Sequence, residues 1–302
     1  MLAAQVLPDH APLRILIVSD EVNPHGLPAE QLTQPGEISA ALAVLPMLNL
    51  ADSTEALLEL PTDQLDAATT RLLRAGSDPL SYDVLVYFAH RIPSGVNGAL
   101  QQTEFVAAVQ HFLAQGGGVV SFHHGIYQLP GKESMQALLG AAATGNVSWN
   151  TVSGQRVINV APGHFITTNG IGYAGQTSYG DPAAGVPSGN YPWFANIPDE
   201  RYPTLALQPG SGRLQMLFAS DYAEGDGTHV LGYTYRQNAW AGQVVMYQPG
   251  EYQPQALGPG NNLQVLLNAI VFSHDRVFAQ AFETIDCRFS RHLAYCWGKR
   301  PF

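Results

Sequence analysis

A short stretch of the sequence, GGGVVSFHHGIY at residues 116–127, contains residue types that could carry out chemistry. Three glycines lead into a short apolar run, which ends in the adjacent His123 and His124 and a further glycine. Imidazole has an unperturbed pKa of about 6.5, so a histidine can exchange protons at neutral pH or bind a metal. The stretch therefore predicts an acid–base site, a metal site, or a buried strand end that happens to contain histidine.

Polar residues also follow two other predicted strands. The apolar run at 13–20 ends in Asp20, and the run at 81–90 ends in His90, which Arg91 follows. Ligands of open parallel sheets lie beyond the carboxyl ends of the strands, so we expect these strand ends to share one cleft. The predicted catalytic residues are those at the strand ends: Asp20, His90, His123 and His124.

Each of these residues also has a structural interpretation. Adjacent residues of a strand point to opposite sides of the sheet, so we expect only one of His123 and His124 to face the cleft. Asp20 could instead anchor a loop, and the pair of His90 and Arg91 could simply end a strand.

Metal binding needs at least three ligands in a fixed geometry. The sequence has no H-E-x-x-H or H-x-H pattern, so a metal site would have to combine distant segments. The candidate ligands are His25, His90 and His124, and zinc is the candidate ion. The sequence indicates no other cofactor, because no G-x-G-x-x-G or Walker pattern follows a predicted strand.

Nucleophilic catalysis at the turn is disfavoured by the residues present there. Both cysteines, Cys287 and Cys296, lie in the C-terminal tail, where they either pair with each other or stay as separate thiols. Ser121 precedes the histidines, but no G-x-S-x-G motif surrounds it. The three glycines come before their strand, at the end of a predicted helix, so they do not form a phosphate-binding loop.

The elements around the turn predict an α/β domain. A strand at 81–90, a helix at 103–118 and a strand at 118–124 form a βαβ unit, which implies a parallel sheet. The second half of the chain contains short predicted strands, an irregular segment at 168–201 and a helix at 261–274. We therefore predict one α/β domain with a β-rich extension.

The composition of the chain limits the classes of partner that we expect it to bind. The chain has 302 residues, 46% of them hydrophobic, only two lysines and a net charge of −10. Without a basic cluster, binding to nucleic acid or to an anionic membrane is not expected. No signal peptide is visible, so we expect a cytoplasmic location, or a periplasmic or secreted one if a signal was removed. A homo-oligomer is left open.

Several segments, in this order, resemble the ThuA-like (trehalose utilisation) family, which has a class I glutamine amidotransferase-like fold. LRILIVSD resembles its opening strand, and YDVLVYF with the later GGGVVSFHHG resembles its central strand–helix–strand signature. GHFITTNGI, the hairpin at 229–252 and the helix containing LLNAIVF also match. The resemblance covers roughly 14–274. The family's late strand usually ends in Leu-Gly-His, whereas this chain has Gln248 to Glu251 there.

The resemblance implies a flavodoxin-like, three-layer sandwich with a mostly parallel central sheet. It would span 13–274, with a leader arm at 1–12 and a tail at 275–302. It also implies that histidine replaces the amidotransferase cysteine and that the ligand is a small carbohydrate, either a disaccharide or a keto-sugar. The residues predicted to bind substrate are Arg91, Tyr127, His164, Arg236 and Glu251.

Three functions remain open at this point. The first is an isomerase, lyase or hydrolase that acts on carbohydrate by histidine acid–base chemistry. The second is a non-catalytic module that binds carbohydrate or a partner, and the third is a metal-dependent hydrolase. Whether the protein is an enzyme at all is therefore left open.

Overall fold

The computed structural model describes most of the chain between residues 12 and 274. The described ranges are 12–20, 36–74, 81–144, 148–150, 156–195, 199–202, 204–207, 213–220, 229–250 and 260–274. The predicted leader arm, apart from Pro12, and the predicted tail with both cysteines lie outside these ranges, as do His25 and Glu251.

Five parallel strands form one half of a ten-stranded sheet within the described residues. In spatial order they are β2 (Leu57–Pro61), β1 (Ile15–Ser19), β3 (Val84–Phe88), β4 (Gly118–Phe122) and β14 (Val244–Tyr247). Because they run in the same direction, their C-terminal ends lie at one edge of the sheet, which we term the carboxyl edge. The opposite edge is termed the amino edge.

The sheet continues beyond β14 as five antiparallel strands. These are β13 (His229–Arg236), β12 (Arg213–Ser220), β7 (Arg156–Asn159), β9 (Val186–Ala195) and β8 (Gly175–Asp181). The predicted β-rich extension is therefore part of the same sheet. Two small antiparallel pairs accompany it, formed by β5 (Ala141–Thr144) with β11 (Thr204–Leu207) and β6 (Ser148–Asn150) with β10 (Asp199–Arg201).

Helices cover both faces of the sheet. One face packs against α1 (Glu37–Ala43), α5 (Phe165–Thr168) and α6 (Asn261–His274). The other packs against α2 (Leu65–Leu72), α3 (Gly98–Ala114) and α4 (Glu133–Leu139).

Side chains of the central strands alternate between these two hydrophobic cores. In β1, Ile15 and Ile17 join one core, whereas Leu16 and Val18 join the other. Strands that are buried on both faces favour continuous apolar runs, and this explains the apolar runs in the sequence. The predicted three-layer α/β sandwich is confirmed.

Several boundaries differ from the expected ones. The structure adds β2 between the predicted strands at 13–20 and 81–90, and the helix expected from residue 103 begins at Gly98. The segment at 168–201, expected to be irregular, contains β8 and β9. Much of this hairpin is exposed, so its polar residues give no alternating apolar pattern, and backbone pairing with β7 specifies it instead.

The three glycines end a helix and start a buried strand, as predicted. Gly116 follows α3 with a φ of 88°, a left-handed conformation that glycine adopts at little cost. Its N–H donates to the Leu113 carbonyl, and the N–H of Gly117 donates to the Phe112 carbonyl. This pair of bonds is a Schellman motif, which satisfies carbonyls at the helix end.

Within the described residues, no helix combines the length and the apolar character needed to cross a membrane.

Replacing Gly116 with alanine should lower the free energy of unfolding by about 1–2 kcal/mol, because a side chain in the left-handed region is strained. Urea unfolding would measure this change. Gly163→Ala is the control, since a Cβ at Gly163 would meet nothing within 4 Å. Equal stabilities for the two variants would contradict the assignment of Gly116 as a required glycine.

Candidate functional site

The Asp20 carboxylate connects three strand ends at the carboxyl edge. It follows β1 and accepts hydrogen bonds from the backbone N–H of His90 (2.8 and 2.9 Å to its two oxygens) and of Arg91 (3.1 Å). It also contacts Nδ1 of His124 at 3.1 Å. His90 and Arg91 follow β3, and His124 follows β4. The structure therefore brings Asp20, His90 and His124 together, although they are far apart in sequence.

Asp20 determines which nitrogen of His124 carries the proton. A carboxylate can only accept a hydrogen bond, so the Nδ1–H of His124 is the donor and Nε2 is the basic nitrogen of the neutral ring. The ring stacks on Phe88, with centroids 4.5 Å apart, and its edge meets the ring of His90 at 5.0 Å. The ring of His124 is thus held in one orientation beside a carboxylate.

His123 has the same tautomer for a different reason. Its Nδ1 lies 2.9 Å from the backbone carbonyl oxygen of Gln248, which follows β14. A carbonyl oxygen only accepts, so Nδ1 carries the hydrogen here as well. The ring stacks on Tyr202 with centroids 4.7 Å apart. The group that faces Nδ1 of His123 is a neutral carbonyl, whereas the group that faces Nδ1 of His124 is a carboxylate.

The alternation of side chains along a strand does not apply to the two histidines, because both lie beyond the end of β4. That only one of them faces the cleft stays a prediction. β4 ends at Phe122, and His123 begins a short 3-10 turn with a φ of 36°. This left-handed residue turns the chain, and the two rings lie 5.1 Å apart. The turn is tight, because a Cβ on Gly125 would overlap the Ser121 hydroxyl and lie 2.7 Å from the Tyr87 carbonyl oxygen.

Two tyrosines complete an aromatic cluster. Tyr127 is half-buried and stacks on His90, with centroids 4.7 Å apart, and it lies 5.5 Å from Tyr202. The side-chain amide of Gln248 holds Tyr202 in place: it accepts from the Tyr202 N–H at 3.4 Å and donates to the Tyr202 carbonyl at 3.2 Å. Gln248 therefore positions His123 with its backbone and Tyr202 with its side chain.

Lys132 belongs to this site, although sequence reasoning did not select it. Its Nζ donates to the carbonyl oxygens of Ala89 (2.8 Å), His90 (3.2 Å) and His124 (2.8 Å). Burial lowers the pKa of Lys132 to about 7, and the Asp20 carboxylate acts in the opposite direction. A signal existed in the sequence, since Lys132 is one of only two lysines and comes eight residues after His124.

The predicted substrate-binding residues have different positions. Tyr127 lies in the aromatic cluster, and the exposed side chain of Arg91 follows His90 directly. Glu251 is outside the described residues.

Arg236 is not with the histidines. It ends β13, which runs antiparallel to β14, so its end lies at the amino edge. Its neighbour Tyr235 pairs with Val244, and Val244 pairs with Val119 near the start of β4.

His164 is also separate from the strand-end histidines. It is the N-cap of α5, where its Nδ1 accepts a hydrogen bond from the Ile166 N–H at 3.1 Å. Its ring packs on Phe272, 4.7 Å away, and the next residue, Ser273, abuts Gly118 at the start of β4. His123 follows the other end of that strand, and at about 3.3 Å per residue it lies about 17 Å from Gly118. The predicted grouping of His164 with His123 is therefore not what the structure shows.

No group of three His, Cys, Asp or Glu residues suited to a metal ion occurs in the part of the chain that the structure describes. His25, one of the three predicted ligands, lies outside that part, so the zinc site stays a prediction. Elemental analysis of the purified protein would test it.

Solved structures of three proteins share this architecture. A protein described as ThuA-like from Bacteroides uniformis superposes with a TM-score of 0.54 and 13% identity, covering 88% of this chain and 94% of its own. One from Parabacteroides merdae gives 0.51 and 12%, with coverages of 87% and 90%. A cytoplasmic protein of Salmonella typhimurium gives 0.51 and 11%, with coverages of 86% and 99%.

The chain has the fold of these ThuA-like proteins. The resemblance seen in the sequence motifs thus agrees with the structural likeness. No protein-family model matches the chain, and neither does any curated protein. At these sequence identities the comparison establishes the fold alone. The chemistry of the site has to be inferred from its own residues.

His164 should make stability depend on pH. Burial lowers its pKa to about 3 in the folded protein, against about 6.5 in an unfolded chain. Between these values the unfolded state binds more protons, so stability falls as the pH is lowered from 6.5 towards 3, by at most about 1.4 kcal/mol per pH unit. Urea unfolding of His164→Asn, which keeps a capping acceptor, should show a shallower fall between pH 6 and pH 4.

His164→Ala separates the two roles of this side chain. It removes the titrating ring and the capping acceptor together, so it should show the same shallow slope as His164→Asn with a lower stability at pH 7. An unchanged slope in both variants would contradict the assignment.

Proposed function

We propose that this protein is a carbohydrate-active enzyme that uses histidine acid–base chemistry at the carboxyl edge of its sheet. The observation that carries the proposal is the pair of histidines on one turn, each with Nδ1–H directed at a fixed acceptor. Both neutral rings then have Nε2 as their basic nitrogen. The substrate class is a disaccharide or a keto-sugar.

The environments of the two rings suggest different roles for them. Protonation of His124 at Nε2 is favoured by the Asp20 carboxylate, which stabilises the imidazolium that forms. The Nδ1 of His123 faces the neutral carbonyl of Gln248, so this acceptor stabilises a positive ring less than a carboxylate does. Two titratable groups in different environments can divide the acid and base roles. We assign His124 as the base and His123 as the acid.

This pair suits proton transfer next to a carbonyl. In a keto-sugar, the C–H bond beside the ketone is acidified, so His124 would remove that proton while His123 protonates the ketone oxygen to give an enediol. Reprotonation at the other carbon gives an isomer, and loss of a neighbouring substituent gives an elimination product. Both are reactions of an isomerase or a lyase, and neither needs a thiol nucleophile.

Support for a sugar comes from the surroundings of the histidines and from the fold. The half-buried Tyr127 and the exposed Arg91 adjoin His90. Aromatic rings present an apolar body for the C–H faces of a sugar, and guanidinium donates to its oxygens. The likeness to ThuA-like proteins supports the same class, since that group takes its name from trehalose utilisation.

A non-catalytic carbohydrate-binding module is the second candidate, and burial favours it. His123 is 0% exposed and His124 is 2% exposed, whereas a proton-transferring group must reach its substrate. Calorimetry with disaccharides and 3-keto-sugars would separate the candidates, because binding without turnover supports the module.

The enzyme is tested by a turnover screen with the same sugars. His124→Asn keeps an N–H donor close to the position of Nδ1, so it can retain the bond to Asp20 while removing the base. We expect kcat to fall by about 100-fold or more, and we expect the same for His123→Asn. His111→Asn, exposed on α3, is the control and should keep full turnover. Turnover that persists in both site variants would reject the proposed mechanism.

A further inference from the structure

We propose that Lys132 is a positioning residue of this site: its ammonium group holds the loop after β3 against the turn after β4, so that Asp20 can bond to both His90 and His124. The contacts behind this inference do not depend on the reaction. Only the expected effect of Lys132 on turnover rests on the proposed function.

The hydrogen bonds of Lys132 match an ammonium ion. Its three N–H groups face the carbonyl oxygens of Ala89, His90 and His124 at 2.8, 3.2 and 2.8 Å. Ala89 and His90 follow β3, and His124 follows β4. Lysine is almost never fully buried unless it is paired, yet Lys132 is 0% exposed. One cation thus connects two strand-end loops.

Asp20 connects the same two loops through the opposite kind of group. It accepts from the backbone N–H of His90 and from the Nδ1–H of His124. Each of these two histidines therefore has one donor bonded to the Asp20 carboxylate and one carbonyl bonded to the Lys132 ammonium. Two side chains of opposite charge therefore bind both histidines, one at an N–H group and the other at a backbone carbonyl.

The needs of the local helix do not explain Lys132. It is the N-cap residue of α4 and makes no side-chain capping bond there. A cation at a helix N-terminus is electrostatically unfavourable, because the N–H end of the helix is positive. The lysine side chain instead extends to carbonyls of other segments and lies 5.8 Å from the centroid of the Tyr87 ring, on β3. Its role therefore lies in the site.

Without Lys132, the carbonyl oxygens of Ala89, His90 and His124 lose the ammonium donor, although the His124 carbonyl keeps the hydrogen bond from the Tyr127 N–H at 3.2 Å. Losing hydrogen bonds to a charged group is costly at a buried site, so we expect the two loops to separate and the contact between Asp20 and His124 to loosen. In the proposed enzyme, a misoriented His124 lowers kcat with little change in KM, because Lys132 does not touch the substrate.

The test follows the Nδ1 proton of His124 by NMR in the full-length protein without any substrate. A ring N–H bonded to a carboxylate gives a low-field proton resonance, and its absence in His124→Asn and Asp20→Asn assigns it. In Lys132→Met, which keeps the length of the side chain, we expect this resonance to disappear through exchange with water. An unchanged resonance in folded Lys132→Met would overturn the proposal.

Chemical rescue separates charge from packing. Lys132→Ala lacks the atoms of n-propylammonium, so adding n-propylammonium chloride should restore the resonance. The neutral 1-propanol, of similar shape, is the matched control and should not restore it. Equal restoration by both compounds would mean that Lys132 only fills space, and the proposal would be wrong.

The rescue experiment also decides the question if a Lys132 variant folds poorly. If Lys132→Met fails to fold, as judged by amide dispersion in the NMR spectrum, the comparison in Lys132→Ala still decides the question, because n-propylammonium must restore both folding and the resonance. No restoration at saturating n-propylammonium counts against the proposal. Absence of turnover on any sugar would overturn the proposed function and leave this result unaffected.

Discussion

The structure of the site depends on one constraint: polar backbone at the ends of buried parallel strands must find hydrogen-bond partners. Buried N–H and C=O groups without partners are costly. Here the Asp20 carboxylate accepts from N–H groups and the Lys132 ammonium donates to C=O groups of the same two loops. These two side chains allow the loops to pack closely, and that packing holds the histidine rings side by side.

The turn after β4 gives the adjacent residues His123 and His124 different chemical surroundings. The left-handed conformation of His123 ends the strand and brings both rings to the same region. One ring then meets a carboxylate and the other meets a peptide carbonyl. The same residue type, at neighbouring positions, thereby acquires two environments. A rigid scaffold of five parallel strands supports this arrangement, since each partner comes from the end of a different strand.

Strand direction explains why other polar residues do not join the site. Parallel strands place all their C-terminal ends at one edge, whereas antiparallel strands alternate. Arg236 ends an antiparallel strand and therefore lies at the amino edge. His164 caps α5 and packs on α6, where burial keeps it neutral and its ring belongs to the hydrophobic interior. Strand direction thus excludes Arg236 from the site, whereas His164 is excluded by its position at the start of a helix.

The sequence by itself determined the central strands, the parallel βαβ unit, the glycine helix end and the meeting of Asp20, His90 and His124, because these follow from local apolar runs and from the direction of parallel strands. Tertiary structure decided the orientation of the histidine pair, the inclusion of Lys132 and the exclusion of Arg236. These features depend on partners distant in the chain, such as the Gln248 carbonyl that orients His123, which is 125 residues away. Local patterns carry no information about such partners, since any polar residue after a strand gives the same signal.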